Sequence, residues 1–126
     1  MQLMKGTGRG RVEANDIGLI FCTTVKVTAE KYAFWGESGE IVTFDVRDDL
    51  NIADLNDEVT ARKIVNELCI WEEVLDEDAY VAELVANDGS DEITIMDDPK
   101  FRQAVAELGY DGATQGGHYA LFAEAL

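Results

Sequence analysis

Residues 18–33, GLIFCTTVKVTAEKYA, form the stretch around which the rest of the chain is organised. An apolar run over 18–22 is typical of a short buried strand, and two threonines follow it. Apolar residues then recur at helical spacing, on a face formed by Val25, Ala29 and either Tyr32 or Ala33. The segment therefore predicts a strand, a polar corner and a helix that ends in an aromatic residue.

The length and composition predict one folded domain over residues 1–126. A chain of 126 residues can bury a core without disulfides or metal, and 47% hydrophobic residues are too many for a disordered chain. No apolar run approaches the length that spans a bilayer. The N-terminal MQLMKGTG lacks the apolar core of a signal peptide, so we expect a cytoplasmic protein.

Cysteine and histidine are too few and too scattered for a metal site. Cys22 and Cys69 both lie among apolar residues, which predicts buried thiols in a reducing cytoplasm. His118 is the one histidine, and its distance from both cysteines does not fit zinc-ligand spacing. We therefore expect no metal.

Charge is the most pronounced compositional feature, with a formal net charge of −16. Residues 1–36 hold five basic and three acidic residues, a net charge of +2, which leaves −18 on residues 37–126. This asymmetry argues against direct nucleic-acid binding by the body of the protein, because phosphates would be repelled. It leaves three interpretations: a basic zone for an anionic ligand, an acidic surface for a basic partner, or solubility alone.

The remaining pattern predicts a mixture of strands and helices. Strands are expected at 2–5 and 40–46, with a polar connection over 47–56 anchored by Leu50, Ile52 and Leu55. Two acidic helices are expected within 57–86, the second capped by Asp76. The apolar face of the first helix is predicted to comprise Val59, Ile64, Val65, Leu68, Trp71 and Leu75.

The C-terminal third has the clearest boundaries. After a predicted loop over 87–98, Asp98 is expected to cap a helix that begins at Pro99 and ends before Gly109. Strands at 110–115 and 118–122 are joined at Gly116-Gly117, which suits a hairpin turn. The core face of the helix is predicted to comprise Phe101, Ala104, Val105 and Leu108.

A glycine-rich loop, GTGRGR at 6–11, has neither a nucleotide-binding fingerprint nor a phosphate-loop pattern. Its permissive backbone and its amides lie beside Arg9 and Arg11, and such a loop can cradle a pyrophosphate. The alternative is a mobile surface loop.

Three segments resemble the ADP-ribosyltransferase fold family of diphtheria-type toxins and poly-ADP-ribose polymerases. Lys5-Gly6-Thr7 is similar to the His-Gly-Thr-like end of the family's first strand, with Lys5 in place of the histidine. The strand and helix of 18–33 resemble the second signature, and LGYDGATQGGHYALF at 108–122 resembles the C-terminal part. The resemblance implies an α+β fold, with small mixed or antiparallel sheets and helices packed around them.

The resemblance also implies a site for NAD. The main chain of Gly6 and Thr7 would contact the nicotinamide amide, and Tyr32 would stack on the nicotinamide ring. The alternative for Tyr32 is a half-buried core aromatic. Arg9 or Arg11 would meet the pyrophosphate.

The catalytic position departs from the family. The family places a glutamate at the start of the final strand, where this chain has His118. Asp111, Gln115 and His118 are the nearest candidates to face the ribose. The alternatives are that Asp111 is a turn residue and that His118 is a strand residue at the rim of a pocket.

The expected function is NAD-dependent mono-ADP-ribosylation of a protein target. Small, acidic phage-encoded anti-CRISPR ADP-ribosyltransferases also depart from the usual catalytic set, so we expect a phage effector that disables a basic, nucleic-acid-binding defence complex. The alternative is an acidic protein that mimics DNA and blocks a basic groove without catalysis, with the transferase fold as its scaffold.

Overall fold

The structure, a computed structural model, describes residues 2–7, 18–23, 40–87 and 93–125. Within them one six-stranded sheet has the strand order β3-β1-β2-β6-β5-β4. All neighbours are antiparallel except β4 and β5, which are parallel. The predicted α+β class with a mixed sheet is therefore confirmed. The strands are β1 (Gln2–Thr7), β2 (Leu19–Thr23), β3 (Glu40–Asp45), β4 (Ile52–Asp54), β5 (Gly112–Gln115) and β6 (His118–Phe122).

Three α-helices are described, and each begins at an aspartate cap. They are α1 (Glu58–Trp71), α2 (Glu77–Ala86) and α3 (Pro99–Glu107). The Asp57, Asp76 and Asp98 carboxylates accept main-chain N–H groups of the first turns, which have no partner within the helix. The predicted caps at Asp76 and Asp98 are confirmed.

The two faces of the sheet bury two apolar clusters, because alternate residues of a strand point to opposite faces. The larger cluster joins one face to the helices. The smaller cluster covers the other face, with contributions from the chain after β3. The fully buried members of the larger cluster include Leu19, Leu55, Ile64, Leu68, Met96 and Phe101.

The predicted apolar face of the first helix is only partly correct. Ile64, Val65 and Leu68 are buried, but Val59 points away from them and is 64% exposed. Leu75 lies beyond the end of α1, in the connection to α2, and is 92% exposed. Trp71 is the last helical residue, and it stays exposed at the margin of the face.

The core face predicted for the last helix is confirmed for three of its four residues. Phe101, Ala104 and Val105 are fully buried, whereas Leu108 is exposed. Leu108 caps the C-terminal end of α3, where the chain turns away from the core at Gly109, whose φ is 82°.

Two short elements lie where irregular chain was predicted. Ile52–Asp54 forms β4 by pairing with β5, inside the expected polar connection. Thr94–Asp97 forms a 3-10 helix within the expected loop. Ile93 and Met96 are fully buried there. The hairpin prediction is confirmed, because Gly116 and Gly117 have φ values of 60° and 83° between β5 and β6.

Both cysteines are free, but only Cys22 is buried. Cys69 is half-buried, and its Sγ donates to Glu77 Oε1 at 3.0 Å. This hydrogen bond, together with burial, raises the pKa of the Cys69 thiol. The helix predicted after the two threonines, over residues 25–33, lies outside the described residues.

Candidate functional site

The three segments that carry the family resemblance occupy three neighbouring strands. Lys5-Gly6-Thr7 ends β1, residues 19–23 form β2, and His118 begins β6. Since β2 lies between the other two strands, β1 and β6 are about 10 Å apart. Segments that are distant in the sequence thus meet in one part of the sheet.

One cross-strand row places polar side chains together in this region. Met4 pairs with Thr23, Thr23 pairs with His118, and His118 pairs with Gln115. Paired residues point to the same face, which here is the face that carries the helices. We call Thr23, His118 and Gln115 the polar row.

The strand β1 pairs very differently with its two neighbours. Its pairing with β3 runs over six positions, from Gln2↔Asp45 to Thr7↔Glu40. Among the described residues, its pairing with β2 is confined to Met4↔Thr23. The strands of an antiparallel ladder exchange main-chain hydrogen bonds along their length. In this register Gly6 is level with Phe21 and Thr7 with Ile20, so their main chain lies outside the β1–β2 ladder, about 7 to 10 Å along β1 from the residue that meets the polar row.

His118 is buried and its ring is oriented by Thr23. His118 Nδ1 lies 3.1 Å from Thr23 Oγ1, which also donates to the Gly117 carbonyl at 3.3 Å. A carbonyl can only accept, so both contacts are satisfied together when Nδ1 carries a proton and donates to Thr23.

Gln115 has a structural partner. It is 2% exposed, and its Nε2 donates to the Leu84 carbonyl at 2.9 Å. This hydrogen bond joins the end of β5 to α2. An amide held in this way fixes the position of the polar row relative to the helices.

Asp111 lies at the other end of the hairpin. Its carboxylate accepts the Asn51 main-chain N–H at 2.8 Å, and its own N–H donates to the Asn51 carbonyl at 2.7 Å. Its carbonyl accepts from Phe122, the residue at the far end of β6 from His118. The length of β6 therefore separates Asp111 from His118, about 14 Å along the strand. The structure brings Gln115 and His118 together and does not bring Asp111 to them.

The residues predicted to bind NAD are described only in part. Gly6 and Thr7 are placed by the main chain of β1. Arg9, Arg11 and Tyr32 lie outside the described residues. The helix predicted to carry Tyr32 would begin after Thr24.

Thr23 is the member of the polar row that sequence reasoning missed. The pattern identified it only as part of a polar corner after an apolar strand. Its position two residues beyond Phe21 and four beyond Leu19 was the available signal, since this spacing directs all three side chains to one face. Thr23 is 1% exposed, so a polar group on a buried face has to be hydrogen-bonded.

Other possible sites in the described residues do not involve the polar row. A groove of about 320 Å³ lies beside α2 and the 3-10 helix, lined by Tyr80, Glu83, Leu84, Asn87, Ile95 and Asp98. Within the described ranges, no group of three or more His, Cys, Asp or Glu side chains is placed to hold a metal ion. None of the helices in those ranges has the length and apolar character needed to cross a membrane.

Comparison of the chain with protein-family models, with curated proteins and with solved structures gives no match.

Proposed function

We propose that the chain binds NAD and transfers its ADP-ribosyl group to a protein target. The observation that supports this function is the adjacency of β1, β2 and β6. Each of these strands carries one segment that resembles the ADP-ribosyltransferase family, and the sheet assembles them side by side. The family fold itself is part of this proposal.

The described residues offer groups that suit such a ligand. The main chain of Gly6 and Thr7, outside the β1–β2 ladder, would hold the nicotinamide amide. The polar row would face the ribose, with Thr23 orienting His118. Tyr32, Arg9 and Arg11 would complete the site with a stacking ring and positive charge for the pyrophosphate.

The chemistry requires two things of the protein. NAD supplies a ribosyl bond to nicotinamide whose cleavage leaves positive charge on the sugar, as in glycoside hydrolysis. Nicotinamide departs as a neutral base, so no acid is needed there, but the incoming nucleophile has to lose a proton. We propose that His118 accepts that proton or hydrogen-bonds a ribose hydroxyl. Asp111, at the other end of the hairpin, is given no role in this proposal.

The charge of the described chain favours a basic target. Residues 40–87 and 93–125 hold nineteen acidic and five basic side chains, a net charge of −14. A field of this sign steers a basic protein toward the site and repels nucleic acid. We therefore propose a nucleic-acid-binding protein complex as the target, as for a phage effector acting on a CRISPR-type defence complex.

Thermal unfolding with NAD is the direct test of binding. NAD at ten times its dissociation constant adds about 1.4 kcal/mol to the free energy of unfolding of a protein that binds it only when folded. For a chain of this size the midpoint rises by about 5 °C. Tyr32→Ala should abolish the rise, and Tyr119→Ala should preserve it, because Tyr119 packs on the other face of the sheet. No rise at about 5 mM NAD would contradict the proposal.

The same charge favours a second candidate, an acidic inhibitor that occupies a basic groove. The two functions differ in their response to salt. Binding by charge mimicry weakens steeply as ionic strength rises, because exposed charges are screened. NAD-dependent release of nicotinamide in the presence of the target would decline much less.

A further inference from the structure

The end of α1 and its connection to α2 expose three large apolar side chains close together in the chain. Ile70 is 68% exposed, Trp71 39% and Leu75 92%. A single exposed apolar residue is ordinary, but a group of them on a water-soluble surface marks a contact site. We call Ile70, Trp71 and Leu75 the apolar patch.

Acidic residues follow and interrupt the patch, and some of them have structural roles. Asp76 caps α2 by accepting the Ala79 N–H at 3.0 Å. Glu77 accepts from Cys69, and Asp78 forms an ion pair with Arg62 at 2.9 Å. These three acids also lie at the N-terminal end of α2, where the helix dipole favours negative charge. Their presence is explained by the fold.

Glu72 and Glu73 have the opposite environment. They directly follow the C-terminal end of α1, where the helix dipole is negative, and the last turn of α1 contains no basic residue. Among the described residues, neither glutamate takes part in an ion pair. Their negative charge destabilises the helix end on which they lie. A cation brought to this place would meet both carboxylates and the helix dipole.

We propose that the apolar patch, with Glu72 and Glu73, binds a basic segment of another protein. An apolar side chain of that segment would pack among Ile70, Trp71 and Leu75. Its lysine or arginine side chains would neutralise the two glutamates and the end of α1. Glu72 and Glu73 would repel phosphate groups and anionic membranes. They would also repel the same two glutamates on a second copy of this chain. The proposal does not depend on NAD.

A synthetic amphipathic helix of leucine and lysine is a suitable probe. Anisotropy of the labelled peptide should report binding to the intact chain, whereas a peptide with glutamate in place of lysine should not bind. Ile70→Ser combined with Leu75→Ser should weaken binding about tenfold or more, since two apolar contacts are lost. Val59→Ser is the control, because Val59 is nearly as exposed as Ile70 but lies at the other end of α1. It should leave the affinity unchanged.

Neutralising Glu72 and Glu73 tests whether their negative charge contributes to binding of the basic peptide. Glu72→Gln with Glu73→Gln should weaken binding about fivefold and reduce its dependence on salt. Glu83→Gln with Glu107→Gln removes the same charge elsewhere and should change the affinity little. Glu72→Lys with Glu73→Lys should abolish binding while raising the unfolding midpoint, because lysine suits the end of α1.

Three results would overturn the proposal. The first is no binding of the basic peptide at low salt. The second is an equal loss of affinity in the patch variants and in their matched controls, which would mean attraction by overall charge alone. The third is self-association of the chain that disappears in Leu75→Ser, which would make a second copy the occupant. Folding of each variant is checked by its unfolding midpoint, and none of these measurements contains NAD.

Discussion

At one end of the β5–β6 hairpin, the Asp111 carboxylate is held by the main chain of Asn51. At the other end, Thr23, His118 and Gln115 lie buried in one cross-strand row. Both ends hold residues that sequence reasoning considered for the same catalytic role. The difference is that Asp111 bonds the start of β5 to the chain before β4, whereas the polar row pairs with β1 at Met4. We therefore expect Asp111 to contribute mainly to stability, and we propose the His118 end for ligand binding.

The largest effect on this comparison is expected from Gly112→Ala, at the Asp111 end. An added Cβ would lie 2.5 Å from the Ala120 carbonyl oxygen and 2.9 Å from Leu121 Cα, and both are main-chain atoms. The strands have to separate, so we expect a loss of about 3 kcal/mol and a fall in the unfolding midpoint of about 10 °C. Gly109→Ala is the control, since no atom lies within 4 Å of its added Cβ. Its positive φ alone should cost about 1 kcal/mol.

Asp111→Ala should destabilise the chain by about 0.5–1 kcal/mol, because the Asn51 N–H, on an exposed residue, loses its acceptor. Asp111→Asn retains an acceptor oxygen and should recover part of the loss. The rise in midpoint caused by NAD should be the same in both variants and in the parent chain. Loss of that rise in Asp111→Asn would show that Asp111 belongs to the ligand site.

Thr23→Val should remove the NAD response at a stability cost of about 1 kcal/mol, since the Thr23 hydroxyl contacts both His118 Nδ1 and the Gly117 carbonyl. The hairpin offers a matched control in Thr114→Val. Thr114 Oγ1 donates to the His118 carbonyl at 2.8 Å, and its side chain points to the opposite face of the sheet. Equal NAD responses in the two valine variants would remove the polar row from the proposed site.

The smallest effect on stability is expected at Tyr80, which lies on α2, the helix that supports the polar row through Gln115. Gln115 is bonded to Leu84, and one turn earlier Tyr80 stacks on Phe101 with ring centroids 6.4 Å apart. Burial, with the charges of Asp98, Glu72 and Glu83, raises the pKa of Tyr80 from 10.0 to about 12. Between pH 10 and 12 the unfolded chain releases the Tyr80 proton while the folded chain retains it, so stability falls as pH rises. Unfolding midpoints across this range should fall less steeply in Tyr80→Phe.

Much of the local structure follows from short-range signals in the sequence. Asp98, Pro99 and Gly109 mark α3 because a cap, a fixed φ and a positive φ each demand a particular residue type. Gly116 and Gly117 mark the hairpin for the same reason. Ile52–Asp54 was not predicted as a strand, because its three residues become one only by parallel pairing with β5. A pattern of a few residues carries no information about such a distant partner.

The candidate site was predictable in its residue types and not in its arrangement. Resemblance identified Gly6, Thr7, Gln115 and His118, and the sheet order places them on β1, β5 and β6. The hairpin predicted at Gly116 and Gly117 already separates Asp111 from His118, because β5 and its turn lie between them. The exposure of Trp71 and Leu75 likewise depended on where α1 ends, which helical spacing alone does not fix.

The position of β6 between β2 and β5 also bears on how the chain reaches its native state. The β5–β6 hairpin closes over a two-residue turn and can form within microseconds. Pairing of β2 with β6, from Leu19↔Phe122 to Thr23↔His118, has to close a loop that contains most of the chain. Closing that loop costs conformational entropy before the stabilising contacts have formed. Contacts between residues so far apart in the sequence slow folding toward milliseconds or longer. The same pairing assembles the polar row, so the candidate site forms only after this slow step.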